Sequence, residues 1–262
     1  VILDRFRVDG QVAIVTGAGR GIGAGSALAL AECGADVVLA ARTQSQLDEV
    51  AAQVETLGRT AVTVACDLSD LDEVASLATI AVAELGRIDI LVNNVGGTMP
   101  RPFLDTSPRF LEEAFHFNVS TAHALTRASA PTMLENGGGA VVNISSVIGR
   151  VAGRGYLAYG TVKGALTHYT KLASKDLAPR IRVNAIAVGS TATSALDIVT
   201  STPELKETME ELTTLGRIGE VEDIAAAVVY LASSAGSYLT GKILEVDGGI
   251  DVPNLDFGMP DL

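Results

Sequence analysis

Tyr159 and Lys163 stand four residues apart in the run Tyr-Gly-Thr-Val-Lys, and Ser146 lies thirteen residues before the tyrosine. On a helix, a spacing of four puts both side chains on one face. A free phenol has a pKa near ~10, too high for a base at neutral pH, and a neighbouring ammonium favours the phenolate. Lowering it by about 3 units takes about 4 kcal/mol of differential stabilisation. Tyrosine and lysine at this spacing also describe an ordinary amphipathic helix, with the ring in the core and the amine in solvent. Ser146, on the strand exit Asn143-Ile-Ser-Ser, sets this chain apart from that pattern. Two neighbours are weaker candidates. Tyr156 has Gly160 four residues on, and strand alternation turns Ser145 to the opposite side.

A second feature lies near the N-terminus, in Thr16-Gly17-Ala18-Gly19-Arg20-Gly21-Ile22-Gly23. The run falls between a strand, Gln11–Thr16, and a helix that opens at Ile22. Glycines there let the backbone approach a pyrophosphate, and a helix N-terminus offers unpaired N–H groups and the positive end of its dipole. A tight turn without a ligand uses the same residues, so the strand–turn–helix context carries the reading. At the end of the second strand an acid would bind the ribose hydroxyls of NAD and repel the extra phosphate of NADP. This chain has Ala41 and then Arg42. Arg42 and Arg20 together suit a 2′-phosphate, which a guanidinium grips in a fork. The expectation is NADP, with NAD possible.

The spacing Gly17-x3-Gly21-x-Gly23 and the Ser146, Tyr159, Lys163 set resemble the short-chain dehydrogenase/reductase family. The resemblance runs from Leu3-Asp4 to Asp247-Gly248-Gly249. It implies that Ser146 holds the substrate oxygen, Tyr159 exchanges its proton, and Lys163 also binds the nicotinamide ribose. It implies that Asn118, in Phe117-Asn118-Val119, bends its helix and holds a water that relays protons to the lysine. The implied cofactor contacts are Gly17, Gly19, Arg20, Gly21, Ile22 and Gly23 in the turn, with Arg42 at the second strand. Asp67 and Leu68 are implied at the adenine, with Ser69 and Asp70 better placed to cap the helix that follows. Asn93-Asn94-Val95-Gly96 resembles the family's N-N-A-G and brings in Asn94, Val95 and Gly96. Gly189, Thr191 and Thr193 stand in Val188-Gly-Ser-Thr-Ala-Thr193, similar to the family's P-G-x-V-x-T without its proline. The implied activity is reversible reduction of a carbonyl to a secondary alcohol, and the implied assembly is a homotetramer. Its interfaces would be the two long helices and the C-terminal strand.

Short β-rich runs alternate with helical patterns along the chain. Strands are expected at Gln11–Thr16, Asp36–Ala41, Thr60–Cys66, Ile88–Asn93, Ala140–Ser145, Arg182–Ala187 and Lys242–Val246. Helices are expected at Ile22–Cys33, Gln44–Leu57, Leu71–Leu85, Pro108–Glu135, Leu157–Ala178 and Val221–Ser233. Shorter helices are expected around Ala192–Val199 and Pro203–Leu212. The early strands are unbroken Val/Ile/Ala runs, as in strands covered on both faces. The fold class is therefore α/β: a single-domain Rossmann fold over residues 1–262, with a doubly wound, seven-stranded parallel sheet.

With 48% apolar residues the chain can bury a core and is not a disordered tail. Its net charge of −12, with no Lys/Arg cluster, excludes nucleic acid as the expected partner. The apolar run Ile224–Ala232 is short of the ~20 residues that span a bilayer. Val1–Gly10 is too charged for a secretory signal, so the cytoplasm is the expected compartment. Cys33 and Cys66 are expected as separate thiols, and the three histidines as ordinary helix residues.

The substrate pocket is expected at the C-terminal ends of the strands. Its expected walls are Gly97–Phe103, Val147–Ala152, Tyr156 and a lid over about 192–212. Met99 and Phe103 would line one side. Val147, Ile148, Leu196, Ile198, Val199 and Met209 would make the rest largely apolar. The stretch Gly96-Gly97-x2-Pro100-x-Pro102-Phe103 and the extension past Gly249 resemble bacterial 7α-hydroxysteroid dehydrogenases. The general motifs are equally similar to 3-oxoacyl-carrier-protein reductases. Residues 128–149 contain no Lys or Arg to dock an acidic carrier protein. A free, apolar small molecule, steroid-like or lipid-derived, is therefore the preferred substrate. A non-catalytic dinucleotide sensor is the reading from another class. The tail Ile250–Leu262 is expected either across a subunit interface near a neighbour's pocket or without order.

Overall fold

A computed structural model describes residues 1–196 and 201–259. Seven parallel strands form one sheet: β1 (Val12–Thr16), β2 (Asp36–Ala41), β3 (Ala61–Ala65), β4 (Ile90–Asn93), β5 (Gly139–Ser146), β6 (Ile181–Val188) and β7 (Ile243–Val246). Their spatial order is β3-β2-β1-β4-β5-β6-β7. The order reverses between β1 and β4, which pair through Ala13–Ile90, Ile14–Leu91 and Val15–Val92. In such sheets the crevice beyond that reversal takes the ligand.

The unbroken apolar strands have the consequence expected of them. In β1 every residue is buried, with Ala13 and Val15 facing one helical layer and Ile14 the other. The first layer is α1 (Gly21–Glu32), α2 (Gln44–Thr56) and the late helix Val221–Ala232. The second is α3 (Leu71–Leu85), α5 (Thr121–Glu135) and α6 (Leu157–Leu177). Complete burial of residues such as Leu30, Leu39, Leu77 and Leu91 is worth roughly 1.5–3 kcal/mol each. That gain fixes the register in which the strand ends meet the site.

Element starts follow local chemistry. Asp70 caps α3 by accepting from the amides of Asp72 and Glu73, and Gly86 ends that helix at φ +79. Ser107 caps α4 (Pro108–Phe115), with Pro108 in the first turn. The helix expected over Pro108–Glu135 is interrupted. Between α4 and α5, His116–Ser120 winds as a π-helix with Asn118 inside it. Strand β5 is one residue longer at each end than expected, so Ser146 is its last residue. After β6 come a short 3-10 turn at Ser194–Leu196, helix α7 (Pro203–Glu211) and α8 (Val221–Ala232). The expected helix around Ala192–Val199 therefore runs in part outside the described residues, as do Ile198 and Val199. No helix among the described residues is long and apolar enough to cross a membrane.

Two buried asparagines fix the middle of the sheet to its helices. The Asn93 amide donates to Asn143 Oδ1 at 2.8 Å and to Thr126 Oγ1 on α5 at 3.2 Å. The Asn143 amide in turn donates to Thr170 Oγ1 on α6 at 2.9 Å. Unpaired, these buried groups would each cost about 1–3 kcal/mol, so the set holds both helices in one position against β4 and β5.

Candidate active site

At the C-terminal ends of β1, β4, β5 and β6 lies a cleft of about 470 Å³. Its lining brings together Gly17, Arg20, Gly21, Ile22, Asn94 and Gly96 with Ser146, Tyr159 and Lys163. Gly189, Thr191 and Thr193 close the far side.

The glycine turn is shaped by sterics. Gly17 and Gly21 take φ +66 and +54, a left-handed conformation that side chains disfavour. A Cβ on Gly23 would run into the Gly17 carbonyl, so α1 starts hard against the end of β1. The first amides of α1 have no partners within the helix and open toward the cleft. Thr193 stands across from them, with its methyl 3.4 Å from where a Gly21 Cβ would be. This cradle fits a dinucleotide's pyrophosphate. Asn94 holds it in place: its amide donates to the carbonyls of Thr16 (3.0 Å) and Gly17 (3.3 Å). Thr16 Oγ1 accepts from the Asn94 and Val95 amides and donates to the Val92 carbonyl. The sequence showed Thr16 only as a strand end. Its hydroxyl is in fact the clasp between β1 and β4.

Other expected cofactor residues lie outside the lining. Gly19 packs under Gln46 and Ala41, where a Cβ would come within 3.1 Å of the Gln46 side chain. The Leu68 side chain is buried in the second-layer core, and Val95 packs against the same core. Arg42 is exposed. Asp67 accepts from the Ser69 amide and hydroxyl. Those bonds, with a smaller contribution from the Arg42 charge, hold its carboxyl below the usual carboxylate range.

The catalytic candidates are brought together by close packing of α6 against the β5 exit. A Cβ on Gly149 would come within 2.9 Å of the α6 backbone at Lys163 and Gly164, and one on Gly160 within 3.0 Å of the Ile148 carbonyl. Ser146 stands beside the Tyr159 hydroxyl in the cleft lining. Ser145, one place earlier on the strand, faces α6 as Asn143 does, donates to the Lys163 carbonyl at 3.1 Å and helps pin the same helix. Alternation along β5 thus sends the Ser145 hydroxyl to the α6 backbone, while Ser146, the last strand residue, lines the cleft and accepts from the Ile148 amide at 3.2 Å.

The electrostatics differ from the simple expectation of a phenol lowered by its lysine. Burial pushes the Tyr159 pKa up, and the nearby Ser146 hydroxyl only partly opposes it. The Lys163 ammonium lies 5.8 Å from the Tyr159 ring centre and donates to the Ile144 carbonyl at 3.0 Å. The lysine is 3% exposed, and burial lowers its pKa to about 8. Desolvation is the leading cause of both shifts.

Asn118 lies outside the cleft lining but touches its floor. Its amide donates to the Ala114 carbonyl at 2.8 Å, one helical turn back, and to the Gly97 carbonyl at 3.1 Å. Its Oδ1 accepts from the Gly97 amide at 2.8 Å. The side chain thereby satisfies backbone groups around the π-helix and fastens that segment to the loop after β4. A Cβ on Gly96 would lie 2.5 Å from Asn118 Oδ1 and 2.6 Å from Lys163 Nζ. Asn118 and Lys163 thus flank one glycine.

A family model described as enoyl-(acyl carrier protein) reductase matches residues 17–251. The chain belongs to the short-chain dehydrogenase/reductase family. An oxidoreductase of Mycobacterium tuberculosis (strain CDC 1551 / Oshkosh) is 60% identical over 263 residues, covering 100% of both chains. A 7α-hydroxysteroid dehydrogenase solved with NADH and 7-oxo glycochenodeoxycholic acid is 38% identical, with a TM-score of 0.90 over 94% of this chain and 96% of that one. A gluconate 5-dehydrogenase of Burkholderia cenocepacia J2315, solved with NADP and tartrate, is 32% identical, with a TM-score of 0.88 over 95% and 98%. As a short-chain dehydrogenase/reductase, this chain is an oxidoreductase acting on alcohols and ketones.

Of the expected substrate walls, Val147, Ile148, Tyr156, Leu196 and Met209 line the cleft. Met99 and Phe103 do not: they are 71% and 64% exposed, and Thr98 and Pro100 face the cleft instead. Three residues absent from the sequence reading complete the lining: Asn254, Leu255 and Phe257 of the tail.

Two outcomes follow. Gly96→Ala should lower kcat/KM on the order of 100-fold, because a shift of about 1 Å in a catalytic group has that effect; steady-state kinetics checks it. Lys163→Met should abolish turnover yet stabilise the chain without added cofactor at pH 7. The folded state favours the neutral amine, so the penalty for the charged form, about 3 kcal/mol, is present below pH 8 and fades as pH rises to 10.5. Losing the bond to Ile144 offsets about 1 kcal/mol. Urea unfolding at pH 7 and pH 10.5 should show a gain of about 2 kcal/mol that disappears at the higher pH.

Proposed function

We propose that the chain interconverts an apolar ketone and a secondary alcohol with NADP(H). The observation that carries this reading is the convergence of Ser146, Tyr159 and Lys163 beside the glycine cradle in one cleft. A dinucleotide held by the glycine cradle would supply the hydride chemistry, giving a hydride to the carbonyl carbon or taking one from the alcohol carbon. In the reductive direction Tyr159, kept protonated by burial, donates its proton to the carbonyl oxygen. Ser146 holds that oxygen. Lys163 stabilises the phenolate left behind, and Asn118, across Gly96 from the amine, orders the path by which the proton is replaced.

NADP is favoured by what stands at the end of β2. Ala41 presents no carboxylate and packs against Gly19, while Arg42 and Arg20 supply two guanidiniums. The apolar substrate follows from Val147, Ile148, Leu196 and Met209 around the reacting groups. The steroid ligand of the 7α-hydroxysteroid dehydrogenase agrees with it. A carrier-bound acyl substrate is the second reading, favoured by the description of the matching family model; the arginine- and lysine-free stretch 128–149 weighs against it. The homotetramer implied by the family is supported by Phe115 and Leu172, exposed on α4 and α6 at 45% and 56%.

Tyr159→Phe should lower turnover by roughly 10²–10⁴-fold, the usual share of general acid–base catalysis, and leave cofactor binding intact. A sensor without turnover would show no difference between the two proteins. A panel of ketosteroids, aliphatic ketones and acyl thioesters should give activity on the first two groups; activity confined to thioesters would overturn the substrate reading. Arg42→Asp should reverse the cofactor preference. Equal kcat/KM of the unaltered chain with NADP and NAD would defeat the NADP assignment.

A further inference from the structure

The tail past Gly249 folds back onto its own chain. The Arg150 guanidinium donates to the Ile250 carbonyl at 2.8 Å and pairs with Asp247 and Glu245. Gly153 leaves room for Pro253, whose ring would lie 2.8 Å from a Cβ there. Gly155, at φ +80, is covered by Phe257 and Met259. Tyr156 donates its hydroxyl to the Leu255 carbonyl at 3.0 Å, and its ring centre is 5.0 Å from that of Phe257. The seat for the tail is thus built from the turn that precedes α6.

Asn254 is the knot. It is 6% exposed, and its side chain joins three separate parts of the cleft. Its Oδ1 accepts from Ser190 at 2.8 Å, next to Gly189 and Thr191. Its amide donates to Thr213 Oγ1 at 3.0 Å and to the Met209 carbonyl at 3.4 Å, at the end of α7. With Asn254 so held, Leu255 and Phe257 line the same cleft as Ser146 and Tyr159. Burying a polar side chain is costly unless it is bonded, so this one fixes the tail in a single place.

We infer that Leu255 and Phe257 are specificity-determining residues that contact the substrate, with Asn254 as the positioning residue that ties them to α7 and the cofactor-side loop. This rests on the ketone–alcohol reading of the cleft. The tail bounds the apolar space beside the reacting carbonyl, so its side-chain volume sets the largest ring system accepted.

The test uses the whole 262-residue chain and ketones of one, two and four fused rings. L255A and F257A should each move the ratio of kcat/KM for the largest to the smallest ketone at least tenfold toward the largest. Their cofactor Kd, read from the fluorescence of bound NADPH, should stay within twofold. N254L should raise KM several-fold with kcat held. A fall in kcat at constant KM would remove its positioning role. The chain has no tryptophan, so F257W places a single indole emitter in the tail. Its emission should be quenched when NADPH, which absorbs at that wavelength, is bound. An unchanged size ratio in both alanine variants overturns the inference, and so does emission indifferent to the cofactor. If the unaltered chain turns over no ketone or alcohol, the proposed activity fails. In that case the F257W emission alone decides where the tail sits.

Discussion

The clasp between Thr16 and Asn94 sits where the strand order reverses, and the geometry of the cleft depends on it. Parallel pairing brings β1 and β4 side by side, but pairing ends at Val15 and Val92. Beyond that point side chains must hold the two loops together. Asn94 binds the carbonyls that begin the glycine turn, and Thr16 binds the amides that begin the loop to Gly96. The glycine turn and the loop to Gly96 are therefore tied directly to each other.

The price of that placement is carried by Lys163. A lysine 3% exposed with one carbonyl partner is a poor choice for stability. The fold tolerates it because α6 is anchored elsewhere, through Thr170 to Asn143 and through the Ser145 bond to the lysine's own carbonyl. Apolar packing of Val162 and Leu166, both fully buried, adds to that anchorage. Strain in the charge is offset by rigidity in the scaffold around it.

Much of this was legible in the sequence, for reasons that differ by residue. Strands covered on both faces announce themselves as Val/Ile/Ala runs, and β2 and α3 fell where expected. The glycine turn was readable because positive φ and close approach admit few other residues. Other features had no such signature. Met99 and Phe103 looked like pocket wall because they are apolar, yet they face solvent while Thr98 and Pro100 face in. The tail showed no period at all, so its scattered Pro, Gly and Asp could not reveal that Asn254 is buried and Phe257 covers Tyr156. Irregular segments are placed by single contacts, and single contacts leave no pattern to read.

The π-helix at His116–Ser120 has a geometric consequence. A wider turn adds a residue without adding a turn, so the rod leaves it with its faces rotated by about 100°. Before the bulge, Phe110, Leu111 and Ala114 meet Ala158 and Val162 on α6. After it, Leu125 and Met133 meet the core shared with α3. The bulge lets one continuous rod address two partners that no straight helix could serve in phase. Single-residue deletion there would restore regular winding and put one of the two faces out of step, a defect no side-chain replacement could repair.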